Sequence, residues 1–418
     1  MRMQDLCEEH SMNKLFAISL SFCLLLAACQ QASSPAALTP TRMSVGETAT
    51  PISILTATPT ELSLPTPSPS PIGNSPFEQR CPTSMGEVSM ESIASGTIFR
   101  YNLKTEITVL HDLQSGQEYS LPLERKTQSF SGDLSPDRRY YAYTEPDQAR
   151  TRTIIWVIDA KADVLVKQAV DIYLFNLRWL DNEHLLFDTQ DTDKQARVMI
   201  FDLKTHKFKT IIHALPGIFT FRDFGLSWRV SYSPDLQKVL YIGDPQENGY
   251  VRPVYRDLVS GKTLWEAPRM ESIGEVLWSP DGQQVALMVS WDLYILGADG
   301  HVVDILKKSQ FGYINEWGYS WSPNGRYIGF RASKELSQEP TATLIVYDLK
   351  SHTAVDYCLL DYGYSRPGWS PDSTQIVVST PAGSGSTLLD LQTNHSFKLL
   401  DIPDVSYPGE WLQSILEH

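Results

Sequence analysis

The feature that most constrains the fold is a short turn motif that recurs along the chain. Trp278 begins a Trp-Ser-Pro-Asp-Gly run, and close copies begin at Trp321 and Trp369. Weaker copies begin at Leu134 and Tyr232. In such a run proline fixes the φ angle of a tight turn, Asp or Asn bonds its own backbone, and glycine accepts a left-handed conformation. Each copy therefore predicts a sharp turn after an inner strand, whose last large residue packs against a neighbour.

The spacing of the copies predicts the architecture. Trp278, Trp321, Trp369 and Trp411 are 43, 48 and 42 residues apart, and an apolar, β-prone segment follows each copy of the motif. A period in the forties with several short strands per period is typical of β-propeller blades. The pattern resembles the WD-repeat-like motif of TolB-type β-propellers over about residues 95–418. That resemblance implies a β-propeller fold and protein partners bound at one face of the propeller, and it specifies no enzymatic activity.

Strand hairpins between the motifs give the number of blades. Six complete blades are predicted from about 128 to 401, and residues 95–123 supply three further strands. Trp411 and Leu412 are predicted to add the innermost strand of that seventh blade, because pairing the two chain ends removes an open sheet edge. The sequence therefore predicts an all-β, seven-bladed β-propeller. Six blades is the alternative, if the carboxyl-terminal segment only packs as a cap.

The amino terminus has the character of an export leader. Leu15–Ala28 is apolar and too short for a permanent membrane-spanning helix. It ends in a Leu-Ala-Ala-Cys run that resembles a bacterial lipobox, which implies cleavage before Cys29 and lipidation of that cysteine. An ordinary signal peptide that carries a cysteine is the alternative. We assign residues 1–28 to the signal peptide, with Met12 as the expected true start, because the residues before it are acidic.

A tether and a globular domain are predicted to follow the leader. Residues 29–77 are rich in Pro, Ser, Thr and Ala, and such a segment cannot bury enough apolar surface to fold. Residues 78–418 are assigned to the propeller, and the hydrophobic fraction of the chain, 42%, is sufficient for a substantial core. The formal net charge of −14 excludes nucleic acid as a partner, because phosphate binding needs a basic face.

Two cysteines, Cys81 and Cys358, lie in the predicted mature domain. Export would place both in an oxidising compartment, where a pair of cysteines tends to be bridged. The sequence therefore predicts a disulfide between them. Two unrelated thiols, with Cys358 buried as a small apolar residue, remain the alternative.

No catalytic or metal-binding signature is recognised. The stretch nearest to a nucleophile elbow, Ala382–Ser386, lacks its first glycine and lies between two predicted strands. The nine His residues are dispersed, and the acidic run Asp188–Asp193 lacks the glycine and distal glutamate of a calcium loop. We therefore predict no catalytic residue, no metal and no cofactor.

Aromatic and acidic connectors between blades are the candidate ligand surface. Rings with interleaved carboxylates and arginine suit sugars or peptides. The alternative for any one ring is that it packs as core between blades. The candidate residues are Phe221, Asp223, Tyr313, Glu316, Trp317, Tyr364 and Arg366.

The sequence as a whole predicts a non-enzymatic, lipid-anchored, extracytoplasmic module at the cell envelope. Its expected partner is an envelope protein or a glycan, with the membrane contacted through the lipid anchor and the protein a monomer. A glycan-binding module is one alternative function. The other is a hydrolase or lyase sited in the central channel, with carboxylates such as Asp223 and Glu316.

Overall fold

In the computed structural model the chain divides into two units, Met1–Thr66 and Pro67–His418, and every described residue belongs to the second. The predicted leader, Cys29 and nearly all of the tether lie outside the described residues. The structure describes residues 76–87, 93–102, 107–123, 131–147, 149, 151–172, 174–190, 196–213, 230–242, 252–267, 273–334, 342–360, 366–379, 386–400 and 411–413.

The described strands form seven sheets, which we number as blades I to VII. Two short strands precede them, β1 (Phe77–Gln79) and β2 (Thr83–Glu87). Blade I contains β3 (Thr97–Asn102), β4 (Ile107–Asp112) and β5 (Glu118–Ser120). Blade II contains β6 (Ser131–Leu134), β7 (Tyr140–Pro146), β8 (Thr153–Asp159) and β9 (Val164–Val170). Blade III contains β10 (Leu174–Trp179), β11 (His184–Gln190), β12 (Ala196–Asp202) and β13 (Lys207–His213).

The remaining blades repeat the same up-and-down order. Blade IV contains β14 (Val230–Tyr232), β15 (Lys238–Ile242), β16 (Pro253–Asp257) and β17 (Thr263–Glu266). Blade V contains β18 (Ile273–Trp278), β19 (Gln284–Val289), β20 (Asp292–Gly297) and β21 (Val302–Leu306), and the short helix α1 (Lys308–Phe311) follows it. Blade VI contains β22 (Tyr313–Trp321), β23 (Tyr327–Ser333), β24 (Thr343–Asp348) and β25 (Thr353–Leu360). Blade VII contains β26 (Gly368–Trp369), β27 (Gln375–Ser379), β28 (Ser386–Asp390) and β29 (His395–Leu400).

The last strand, β30 (Trp411–Leu412), closes the ring. It pairs antiparallel with β3, with Trp411 opposite Ile98 and Leu412 opposite Thr97. Both β30 side chains are fully buried, and the amide of Gln413 donates to the carbonyl oxygen of Arg138 at 2.9 Å. The prediction of seven blades closed by the carboxyl-terminal strand is confirmed, and the six-bladed alternative is wrong.

The recurrent motif folds as the sequence predicts. In all five copies the serine hydroxyl donates to the Asp or Asn side chain two residues on, at 2.5 to 2.7 Å. The same hydroxyl oxygen accepts the amide five residues on, at 2.9 to 3.0 Å, which fixes the start of the next strand. The residue after Asp or Asn is left-handed, with φ of 67° at Gly282 and 58° at Arg138. Glycine meets that requirement without strain, whereas arginine is held there by contacts described below.

Tryptophans at the ends of inner strands join neighbouring blades. Trp369 is 1% exposed, and its ring stacks on that of Tyr327, with centroids 5.9 Å apart. Three indole N–H groups donate into the preceding blade: Trp179 to the carbonyl oxygen of Asp133 (2.9 Å), Trp321 to that of Leu277 (3.1 Å) and Trp369 to the Ser320 hydroxyl (3.1 Å). The packing predicted for these residues is thus reinforced by hydrogen bonds between blades.

None of the helices within the described ranges is long and apolar enough to cross a membrane.

Candidate functional site

Charged side chains from non-adjacent blades meet near the propeller axis. Arg366, two residues before the inner strand of blade VII, donates from Nη2 to Oε1 of Glu275 on β18 of blade V. Because blade VI lies between those two blades, the contact is made on the axial side of the inner strands. The hydroxyl of Tyr319, from β22, donates to the backbone carbonyl oxygen of Glu275. Blades V, VI and VII are therefore joined by polar contacts at one residue, Glu275.

Asp133, on the inner strand β6, also belongs to this axial cluster. Its Oδ2 accepts the amide of Trp179 and its Oδ1 accepts the amide of Leu134, each at 3.0 Å. Burial raises the pKa of Asp133, while the Trp179 amide and the charges of Arg366 and Arg178 act in the opposite direction. One carboxylate oxygen therefore binds the backbone of the neighbouring inner strand β10, and the other binds the backbone of its own strand β6, so the group has a structural role.

A second ion pair, Arg178 with Asp188, lies within blade III. The two charged groups are 4.0 Å apart, and the Arg178 guanidinium lies 5.2 Å from the ring centroid of Tyr232 in blade IV. Burial raises the pKa of the Tyr232 hydroxyl, and the carboxylate of Asp188 adds to that effect, while Arg178 opposes it. The phenol is neutral at ordinary pH, so its role here is packing against a cation.

Of the seven candidate ligand residues, Tyr313 and Arg366 have described side chains. Tyr313 lies under the ammonium of Lys308, which is 3.9 Å from the ring centroid, and Trp291 meets the Tyr313 ring edge-to-face at 5.5 Å. Arg366 is engaged with Glu275 in the axial cluster. The other five are Phe221, Asp223 and Tyr364, which lie outside the described residues, and Glu316 and Trp317, of which only the backbone is described.

The structure corrects the setting predicted for three of these candidates. Tyr313, Glu316 and Trp317 were expected in a connector between blades, and all three belong to the inner strand β22. The pairing of β22 with β23 shifts register between Ile314 and Tyr319, so a bulge interrupts the strand there. A bulge can redirect side chains within a strand, which explains why the aromatic run looked like a loop. Two rings of that run, Phe311 and Tyr319, are buried as core.

The hairpin loop beside Tyr313 has an unusual backbone. Ser290 and Trp291 join β19 to β20 with φ of 52° and 71°. A two-residue loop with both residues left-handed matches the twist of the strands, but Asn and Gly normally occupy it. A bulky aromatic residue in that conformation is rare, and such residues concentrate at functional sites. Trp291, Lys308 and Tyr313 together form the surface that we call the aromatic platform.

Sequence reasoning missed Asp133, Arg178, Glu275, Trp291 and Lys308. A signal was present for the first three, because each is a charged residue one to three positions before a large apolar residue, Leu134, Trp179 or Trp278, that ends a predicted inner strand. Trp291 could also have been identified from the sequence, because two residues between alternating apolar strands indicate a hairpin loop. Lys308 carries no local signal, and its contact with Tyr313 depends on tertiary structure.

The amino-terminal segment 76–87, which we call the strap, crosses the outer edges of two blades. Strand β1 pairs parallel with β25 of blade VI, and β2 pairs parallel with β29 of blade VII. Cys81, between them, forms a disulfide with Cys358 on β25, with Cα atoms 5.0 Å apart. The structure therefore brings together the two cysteines that the sequence paired. Among the described residues, no three or more His, Cys, Asp or Glu side chains lie close enough together to hold a metal ion.

No family model matches this chain. A curated relative, the "Uncharacterized peptidase YuxL" of Bacillus subtilis (strain 168), is 29% identical over 89 residues, which are 21% of this chain and 13% of that protein. The match therefore spans only a small part of the relative's length.

Several solved β-propeller structures are similar at low identity. TolB from Acinetobacter baumannii is 16% identical, with 74% of this chain and 79% of that chain covered and a TM-score of 0.43. The β-propeller domain of the Trilobed protease from Pyrococcus furiosus is 16% identical, covering 74% and 93% with a TM-score of 0.45. A functionally unknown protein from Desulfotomaculum acetoxidans DSM 771 is 12% identical, covering 77% and 100% with a TM-score of 0.46. The chain thus resembles TolB and other propellers, and its own seven sheets carry the assignment of the fold.

Proposed function

We propose that this protein is a non-enzymatic binding module that holds a protein partner at the extracytoplasmic side of a membrane, to which Cys29 anchors it. The proposal rests on what the charged side chains near the propeller axis bind. Arg366 neutralises Glu275, and both oxygens of Asp133 accept backbone amides. The contact of Arg366 with Glu275 and that of Asp133 with the Trp179 amide each join different blades, so these charged groups have a structural role. A rigid ring of this kind suits partner binding.

A channel-sited hydrolase or lyase is less well supported. Asp133 has the raised pKa that a general acid needs. A proton donor must also reach its substrate, and both oxygens of Asp133 already face amides of the inner strands. The likeness to a protein named as a peptidase covers 13% of that protein and lends this chain no activity.

The proposed location is supported by the disulfide. Cys81 and Cys358 are bonded, and disulfides persist in exported proteins. We expect Cys29→Ala to remain as an unlipidated precursor or to be released from the membrane. Detergent partitioning and the mass of the amino-terminal peptide measure this. A mature terminus that begins elsewhere and carries no lipid would contradict the anchor and leave the binding proposal standing.

Glycan binding is the second candidate function, and the aromatic platform favours it. Trp291 and Tyr313 meet edge-to-face beside the ammonium of Lys308. Sugars bind such sites through an apolar face that stacks on a ring and hydroxyls that meet a polar group. A glycan array probed with the full chain separates the two functions. Saturable signal that disappears in Trp291→Ala supports the glycan reading.

The protein-binding proposal is tested by photo-cross-linking in the native cells. A photoreactive phenylalanine analogue replaces Tyr313, and in a matched control it replaces Val259, which is 81% exposed in a turn of blade IV. We expect a discrete protein adduct at position 313 and none at 259. Equal adducts at both positions, or none at 313 together with a positive glycan array, would contradict a protein partner at this surface.

A further inference from the structure

The outer strands of the blades differ in whether another strand pairs with their outer edge. An outer strand presents a row of unpaired backbone groups to which another strand can add. Among the described strands, β25 and β29 are covered by the strap, whereas β5, β9, β13, β17 and β21 have no strand paired on their outer side. Natural proteins protect such edges by shortness, by lysine or by burial.

Four of the five open edges carry such protection. Strands β5 and β17 have only three and four residues. Strand β13 exposes Lys207 and Lys209, and β21 has half-buried Val302 and Val303 at its start. Strand β9 is different, because it begins with Val164 and Leu165, which are 46% and 44% exposed, and because its single lysine, Lys167, lies over the ring of Trp156.

The exposed pair on β9 occupies the position at which the strap pairs in the other two blades. A left-handed residue ends the turn before each outer strand: Ala162 before β9, His352 before β25 and Asn394 before β29. The second residue after it is Val164, Ala354 or Ser396. In blade VI that residue lies opposite Phe77 of β1, and in blade VII it lies opposite Ser84 of β2.

The residues at this position differ in exposure between the covered edges and the open one. Ala354 is fully buried and Ser396 is 6% exposed under the strap. The equivalent Val164 is 46% exposed. The fold therefore accepts a parallel strand at this position in two blades and offers the same position, with larger apolar side chains, in a third.

We propose that the outer edge of β9 is a second docking surface, which binds an extended peptide strand of a partner protein. The strand runs parallel to β9, and its apolar side chains cover Val164 and Leu165. Lys167 is the one charged residue of β9, and its ammonium lies 4.6 Å from the ring centroid of Trp156. A neutral or acidic segment therefore fits this edge, as strand addition takes affinity from backbone bonds and specificity from alternate side chains.

The strap supplies a probe, because its sequence already pairs with two equivalent edges. A labelled peptide of residues 76–87 carrying Cys81→Ser is titrated against the full chain with its disulfide intact. We expect saturable binding that slows amide exchange in β9. Val164→Lys with Leu165→Lys should weaken binding at least tenfold, since lysine on an edge opposes strand addition. The control Val259→Lys adds a charge at another exposed apolar residue and should leave binding unchanged.

Three outcomes overturn the proposal. The first is no binding of the peptide by the full chain, and the second is equal binding by the double variant. The third is a sedimentation coefficient that falls from dimer to monomer in the double variant, which would make a second copy of this chain the occupant. Both replaced side chains are exposed, so the melting temperature of the double variant serves as the check that it is folded.

Discussion

The two ends of the described chain complete the sheets in opposite ways. At the carboxyl terminus, two residues of β30 pair antiparallel on the inner side of blade I, and both side chains are fully buried. At the amino terminus, the strap pairs parallel on outer edges, and its residues 76–86 are exposed except for half-buried Pro82. The first contact stabilises through burial, whereas the second relies on backbone bonds and one disulfide. A short strand can thus be essential to a ring, and a longer one can be a covalently held attachment.

The largest expected effect comes from removing the closing strand. Deleting residues 409–418 exposes the edge of β3 and removes the buried Trp411 and Leu412 side chains. Burial of such residues contributes about 1.5–3 kcal/mol each, so we expect a loss of several kcal/mol and reduced solubility. Thermal melting of the truncated and intact chains measures it. An unchanged melting transition would contradict the claim that the carboxyl-terminal strand stabilises the ring.

A pair of single substitutions sharpens the same comparison. Trp411→Ala should destabilise the protein by about 3–5 kcal/mol, because it leaves a cavity in a closed core. Phe77→Ala is the matched change on the strap, where Phe77 is 44% exposed and meets Phe311 edge-to-face at 5.2 Å. It should cost under about 1 kcal/mol. Equal losses, measured by denaturant unfolding, would remove the distinction between the two ends.

Breaking the disulfide tests what holds the strap. Cys358→Ser should lower the free energy of unfolding by about 2–4 kcal/mol, because the link between Cys81 and Cys358 restricts the unfolded chain. The double change Cys81→Ser with Cys358→Ser is the control that leaves no lone thiol, and non-reducing peptide mapping checks the bond in the parent. Labelling of both thiols in the native exported protein would contradict the pairing.

Arg138 gives a smaller, local test of the closure. Its Nη1 donates to the carbonyl oxygen of Trp369 at 2.9 Å and approaches that of Trp411 at 3.4 Å, so it joins blade II to blades VII and I. Arg138→Ala should cost about 1–3 kcal/mol, the range for a hydrogen bond from a charged donor whose partner lies partly buried. Arg139→Ala removes a pair with Asp137 and a cation–π contact with the Tyr140 ring, both made by a half-exposed side chain, and should cost at most about 1 kcal/mol. Chemical denaturation ranks the two.

The smallest expected effect is on the stability of the folded protein at acid pH, after substitution of Asp137. At Asp137, burial acts to raise the carboxyl pKa, but bonds from Ser135 and Arg139 outweigh it, and the pKa lies below its usual value. The stability from this group is therefore present above the unfolded pKa, about 3.9, and is lost as pH falls through the folded value. Asp137→Asn should keep the turn, as Asn324 does in blade VI, and flatten the fall of melting temperature below about pH 4. An unaltered acid limb would contradict this account.

The blades could be predicted from the sequence because their signals are local. The Ser-Pro-Asp motif contains its own hydrogen bonds, and Trp411 repeats the period that earlier tryptophans set. The strap could not be predicted, because β1 has only three residues and shows no alternation of apolar and polar residues. It pairs through its backbone with β25, and the two cysteines that link the strap to that strand are 277 residues apart in the sequence. The axial contact of Arg366 with Glu275 was missed for a related reason, because only the closed ring brings blades V and VII together.

Amide hydrogen exchange at the two ends is the most direct test of their difference. The Ala354 amide donates to the carbonyl oxygen of Pro76 in the strap, and the Gln413 amide donates to that of Arg138 at the closure, both at 2.9 Å. After reduction of the disulfide, we predict that the Ala354 amide exchanges by local opening while the Gln413 amide still requires global unfolding. If Ala354 stays as protected as Gln413 in the reduced protein, the strap is an integral part of the fold and the account is wrong.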